Sequence, residues 1–230
     1  VDIDVISLLP LAVLGALLGL DVVSFPQAMI SRPLVAATAA GALMGAPGRG
    51  LVIGAALEFF ALESLPFGAS RYPEWGSASV VGGALFATVP EGTTASMTVA
   101  VLAALCTASI GGSSMVALRR WNARLARYQI AGIERGSGST VVGLQLAGMT
   151  ADLVRGGILT FVALLAFRPL YPAIIGSFEI PGTVSRAVVV SIASAVGIAA
   201  IWKVVHTTPG ARWLLLGGLT IGLGIAAGLL

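Results

Sequence analysis

The sequence predicts an all-α integral membrane protein whose first half contains broken or re-entrant helices. Three observations carry that prediction. The 230 residues are 57% hydrophobic and only 10% charged, with a mean hydropathy of +0.99, whereas a soluble domain carries roughly 25% charged residues. The 30 glycines and 7% aromatic content suit helices packed through small side chains, not a lipid-facing barrel whose strands alternate apolar and polar residues. The apolar runs of the first half are short, and proline and glycine separate them.

Residues 5–20 form an apolar stretch that Asp21 ends, long enough for a short or tilted spanning helix. Asp2 and Asp4 stand where a cleaved leader would carry Lys or Arg, so the stretch is not expected to be a signal peptide. Pro26 and Pro33 interrupt the chain in "SFPQAMISRP". The runs Leu34–Ala46, Leu51–Leu62 and Ala78–Val89 follow, divided by "PGRG" and by Pro73 and closed by Pro90. Crossing a hydrocarbon core of about 30 Å takes about 20 helical residues, so these three read as discontinuous helices. Backbone that leaves the helix at membrane depth must be buried in protein or line a cavity, and in transporters such segments commonly build the substrate site. "GALMGAP" and "GALFATVP" share an ending that reads as a trace of internal repetition.

The second half is simpler. Residues 92–118 are expected to span. The segment 119–139 holds five arginines, with Arg120, Arg124 and Arg127 on one helical face and Trp121, Leu125 and Tyr128 on the next, so it reads as a cytoplasmic amphipathic segment. An ordinary charged loop explains the arginines equally well. Residues 141–167 span outward, the turn 171–183 lacks Lys and Arg, 184–202 span back, Lys203 and Arg212 mark the cytoplasm, and 213–230 cross last. The whole chain is expected to form one membrane domain, with a broken-helix substrate region over 21–91 and three spanning helices over 141–230.

The sparse charges concentrate in "LEFFALESLPFGASRYPEWGSAS", residues 57–79. If Arg49 marks an interface, Glu58 lies about 13 Å deeper along a helix, where a carboxylate costs roughly 2.5–3.5 kcal/mol unless it faces protein or water. It therefore lines a cavity, or it partners Arg32 or free backbone amides of a broken helix. Glu63 points elsewhere, near the end of its run, as a snorkelling carboxylate. Glu74 turns inward toward a polar ligand or pairs with Arg71. The Gln27 amide offers both donors and acceptors. Carboxylates and amides in a rigid site suit a neutral polyol. His206, the one histidine, sits in a short turn and reads as a loop residue. The sequence has no metal-ligand spacing, no P-loop, no cofactor motif and no nucleic-acid signature. Cys106 reads as a small buried or lipid-facing residue.

"QAMISRPLVAATAAGALMGAPGRGLVIGAALEFFALESLPFGASRYPEWGSAS", residues 27–79, resembles the membrane IIC subunit of the mannose/fructose/sorbose family of the bacterial phosphotransferase system. It has the same order of Gln, Arg-Pro-Leu, spaced glycines, Leu-Glu, Gly-Ala, Pro-Glu and Ala-Ser. "LVRGGILTFVALL" (153–165) and the arginine-rich segment are similar too. The resemblance implies a sugar-translocating permease subunit of the bacterial inner membrane that imports a hexose or amino sugar with a IID subunit, as a trimer of IIC–IID heterodimers. Phosphorylation would be carried out by the soluble IIB component, charged by IIA, so no phosphoryl-transfer residue and no cofactor is expected on this chain. Gln27, Glu58 and Glu74 fall on positions that contact sugar, with Arg32, Gly68 and Ser79 in supporting positions of the same motifs. Pro66, Glu63 and the bulky Ser70-Arg71-Tyr72 depart from the usual pattern and bear on which sugar is taken. A sensor in a degenerate system, or a secondary transporter with Glu58 as its ion site, stand as alternatives.

Overall fold

In a computed structural model of the chain, the described residues are 5–22, 24–63, 71–89, 92–177 and 209–229, with isolated positions between 183 and 205. They contain helices and no strands. A turn of 3₁₀ helix (Val5–Leu8) leads into α1 (Leu9–Asp21); α2 (Pro33–Leu43), α3 (Pro47–Glu63), α4 (Trp75–Ala87), α5 (Thr94–Tyr128), α6 (Ile130–Glu134), α7 (Gly138–Ser177) and α8 (Ala211–Leu229) follow.

The centre is α4. It carries no charge, and every residue from Gly76 to Ala87 is buried, as expected of a helix that is apolar all round. It packs against α1, α2, α3, α5 and α7. Its 13 residues reach only about 20 Å, so it cannot cross the core unaided. A Cβ on Gly83 would lie 2.6 Å from the Ala37 carbonyl oxygen of α2, so only glycine permits that approach.

Helices α2 and α3 form the expected broken pair, joined by a tight turn with Gly45 at φ +74°. Gly54 lies against the start of α2, where a Cβ would come 2.8 Å from the Pro33 oxygen. At the tip of this hairpin the Arg49 guanidinium donates to the carbonyls of Ala87 and Val89. It thus satisfies acceptors left free where α4 ends and meets the negative end of that helix.

Helices α1 and α7 run antiparallel. Arg168 of α7 donates to Ser7 at 2.9 Å, a Cβ on Gly156 would meet the Gly15 oxygen at 3.0 Å, and Ser24 reaches Asp152. Gly50 and Gly54 of α3 lie in a similarly close crossing with α2, whereas Gly218, Gly222, Gly224 and Gly228 of α8 face open space.

Two boundaries differ from the sequence reading. The arginine-rich segment is no separate helix at first: α5 continues through Arg119 to Tyr128 over 35 residues, and only then does the short α6 follow. Charge changed there but helix propensity did not, since Ala, Leu and Arg are all good helix formers. Likewise α7 runs 40 residues to Ser177 and contains Pro169 and Pro172, so residues 171–177 of the expected turn are helical. Neighbouring helices make proline tolerable in a membrane helix; here Tyr171 donates to the Ser96 carbonyl at 2.9 Å and pins α7 to α5. α5 and α7 are each long and apolar enough to cross a membrane. Most of the span expected over 184–202, Gly68 and His206 lie outside the described residues.

Candidate functional site

The site begins where α1 stops. Asp21, 2% exposed, accepts hydrogen bonds from the Ala28 amide (2.7 Å), the Ser31 amide (2.9 Å) and the Ser31 hydroxyl (2.7 Å). This clamp fixes the linker between α1 and α2. Within it Gln27 and Met29 take φ of +59° and +61°, the left-handed region that side chains other than glycine seldom adopt. Such conformations persist where surrounding contacts over-determine them, and they gather at functional sites. Gln27 is exposed on this clamped linker.

The linker ends at Arg32, the N-cap residue of α2. Arg32 pairs with Glu58 of α3, and the other Glu58 oxygen accepts from the Leu34 amide at 3.1 Å. Glu58 therefore does both things the structural alternative required. It neutralises an arginine and caps a broken helix across the hairpin, favourably placed at the positive end of α2. A carboxylate offers about four lone-pair sites, and the Glu58 side chain is 21% exposed, so it retains acceptor capacity beyond these two partners. Gln27, Arg32 and Glu58 thus belong to one structural unit.

Glu74 belongs to another. It is fully buried and caps α4, accepting from the Ser77 amide at 3.1 Å, while its own amide donates to the Ala108 carbonyl of α5. Gly111 makes room for it: a Cβ there would lie 2.7 Å from Glu74 Cβ. Its Oε2 is buried without a hydrogen-bond partner, and so is the Ser79 hydroxyl. The pairing with Arg71 considered from sequence does not occur, because Arg71 is exposed and reaches toward the Ser109 carbonyl at 3.4 Å.

Beside Glu74 lies an ion pair that the sequence did not reveal. Asp152, 1% exposed, receives Arg155 Nε at 2.9 Å and the Ser24 hydroxyl at 2.8 Å. Arg155 Nη1 donates to Ser114 at 3.1 Å. Its Nη2 lies 2.9 Å from the same Asp152 oxygen but is buried without a well-directed hydrogen bond. Arg119 donates to the Tyr72 hydroxyl at 2.5 Å, with its guanidinium 4.9 Å from the ring centre. An acceptor on Glu74 and a hydroxyl on Ser79 are thus left unpaired in the interior, and Arg155 Nη2 has only its ion pair with Asp152, whereas native structures pair nearly all such groups.

The family profile described as "PTS system sorbose-specific IIC component" matches residues 5–224. The chain belongs to this IIC family. It is a membrane subunit of a sugar-transporting phosphotransferase system. A solved structure titled "Structure of membrane protein" shares the fold, with a TM-score of 0.75 over 99% of this chain and 94% of the other at 17% sequence identity. No curated protein matches the sequence significantly.

Two features of this candidate site, the Asp21 clamp and the Asp152–Arg155 pair, lie outside the residues that the sequence pointed to. In the sequence Asp21 marks the end of an apolar run, and an aspartate there followed by Pro26 signals a capped, irregular linker. Asp152 and Arg155 are an i, i+3 pair inside a largely apolar helix, and intramembrane ionisable residues are functional candidates by default.

Proposed function

We propose that this IIC subunit carries a hexose or amino sugar inward across the bacterial inner membrane, bound in the broken-helix region by Gln27, Glu58 and Glu74 with support from Arg32 and Ser79. The observation that carries the reading is the buried Glu74 carboxylate, whose Oε2 has no protein partner. A sugar hydroxyl donates to such an oxygen and brings no charge to neutralise. The clamped linker holds Gln27 in a rigid frame, which lowers the entropic cost of binding.

The arginine-rich end of α5 faces the cytoplasm. α1 and α5 then run inward and α7 outward, and the Arg49 tip of the hairpin lies toward the outer face beside the end of α4. The exposed apolar surfaces of α5, α7 and α8 meet lipid and a IID subunit, in a trimer of IIC–IID heterodimers. IIB, charged by IIA, phosphorylates the sugar at the inner face.

The test is uptake of labelled mannose, fructose, sorbose and glucosamine by vesicles containing this chain, its IID subunit and the soluble components. Uptake of at least one sugar should require phosphoenolpyruvate. Uptake driven by a proton gradient alone would instead make the chain a secondary transporter, and no uptake of any of the four would overturn the reading.

A further inference from the structure

The cytoplasmic halves of α5 and α7 border an open cleft of about 410 Å³ that shares Ser24, Arg119 and Asp152 with the region described above but is not lined by Gln27, Glu58 or Glu74. Its volume falls within the roughly 300–1,000 Å³ typical of small-molecule sites. The polar lining is Ser24, Arg119, Asn122, Gln145 and Asp152; Met115, Leu118 and Met149 supply apolar wall.

Asn122 is the informative member. Its Oδ1 is buried and has no hydrogen-bond partner. The side chain packs over Gly148 of α7, where a Cβ would lie 3.4 Å from the amide nitrogen. A buried amide oxygen left unpaired is destabilising, and a donor from a ligand would relieve it. Asp152 adds a second acceptor, already fixed by Ser24 and Arg155. The one cation among the described lining residues, Arg119, is already bonded to the Tyr72 hydroxyl, so the two acceptors face no free positive charge and the cleft does not suit a free anion. Two amides, a hydroxyl, and a carboxylate and an arginine that each already have protein partners, beside an apolar wall, suit a neutral, hydroxyl-rich molecule.

The cleft is connected to both parts of the sugar site. Ser24 stands three residues before Gln27 and bonds to Asp152. Arg119 bonds to Tyr72, two residues before Glu74. Along α5, Gly111 lies against Glu74 and Met115 already lines the cleft, a separation of about 6 Å. We infer that this cleft is a second sugar-holding station on the cytoplasmic side of Glu74, where the sugar pauses within reach of the phosphorylating component and Asn122 accepts a hydroxyl. The inference rests on the sugar-import reading.

Its test separates the two. In inside-out vesicles holding the co-expressed IIC–IID complex, a single cysteine is placed at the cleft wall as Ala126→Cys in a Cys106→Ala background. Alkylation by a maleimide is timed with and without saturating mannose, fructose, sorbose or glucosamine. At least one sugar should slow alkylation by about tenfold, and none should slow a Ser139→Cys control. Adding Asn122→Leu should abolish the protection, and so should Gly148→Leu, which fills the cleft from the opposite helix. Each variant should also lower phosphoenolpyruvate-dependent uptake by about tenfold while leaving thermal melting of the complex near that of the parent. Absence of protection by all four sugars overturns the station even when the parent complex imports sugar normally. Protection that survives both substitutions overturns the assignment as well. Protection in a complex that imports none of the four sugars leaves the station standing and removes the import reading.

Discussion

Arg32 and Glu58 stand 26 positions apart in the sequence and meet as an ion pair across the open end of the α2–α3 hairpin. The carboxylate also caps α2 through the Leu34 amide. One side chain therefore caps a broken helix, neutralises an arginine and keeps spare acceptor capacity beside the linker that carries Gln27.

The two roles of Glu58 can be separated by charge balance. Glu58→Gln and Arg32→Gln each leave an uncompensated charge and should destabilise the complex by about 1–3 kcal/mol, below the roughly 3–5 kcal/mol of a fully buried pair, because both side chains retain some exposure. The double variant removes both charges and should recover most of the thermal stability. Sugar affinity measured by calorimetry should fall about 10- to 100-fold in Glu58→Gln and stay low in the double variant. Recovery of affinity together with stability would make Glu58 a positioning partner of Arg32 and nothing more. Glu63→Gln, at the last residue of α3, should change affinity by less than about threefold.

The Asp21 clamp predicts a local effect. Asp21→Ala removes the acceptor for three donors and leaves two backbone amides to find other partners. Bonds to a charged acceptor are worth about 1.5–3 kcal/mol each, and not additively. Hydrogen exchange at the amides of Ala28 and Ser31 should accelerate by at least about tenfold while amides of α4 keep their protection. Uniform acceleration through α4 would show that the clamp holds the whole bundle and not the linker alone.

Much of this architecture was legible in the sequence. The short runs between Pro26 and Pro90 fixed the existence of α2, α3 and α4, because hydrophobic length and proline act locally. Tertiary partners were not legible. The sequence placed Glu58 at depth but left its partner open between a cavity and Arg32, since that choice depends on how α2 and α3 fold back on each other. Asp152 and Asn122 matter only because α5 and α7 bring them toward Ser24 and Gly148, across gaps that no periodicity reports. The helix boundaries after Leu118 and Phe167 were misplaced for a different reason: charge and proline mark the edge of a membrane more reliably than the end of a helix.

The glycine contacts give a prediction with an internal control. Gly83→Ala puts a methyl group 2.6 Å from the Ala37 carbonyl oxygen, whereas Gly218→Ala on α8 meets nothing within 4 Å. Overpacking of this kind costs about 1–3 kcal/mol. The first substitution should lower the melting temperature of the purified complex by several degrees and the second should leave it unchanged or slightly raised, since alanine favours the helix over glycine. Equal effects would mean that α8 packs against a partner as closely as α4 packs against α2.

Orientation can be tested with two positions that the helices place at opposite ends of α7. Ser139 lies in its first turn beside the arginine-rich end of α5, and Ser177 is its last residue; both are exposed. The 40 residues of α7 extend about 60 Å, well beyond a core of about 30 Å, so both ends clear the bilayer if the helix crosses it. Arginines collect on the cytoplasmic side, which puts Ser139 inside and Ser177 outside. Single cysteines at these positions, in a Cys106→Ala background, are treated in intact cells with a membrane-impermeant maleimide. Ser177→Cys should label at once and Ser139→Cys only after the cells are opened. The reverse pattern would invert the protein, and labelling of both from outside would mean that α7 does not cross at all.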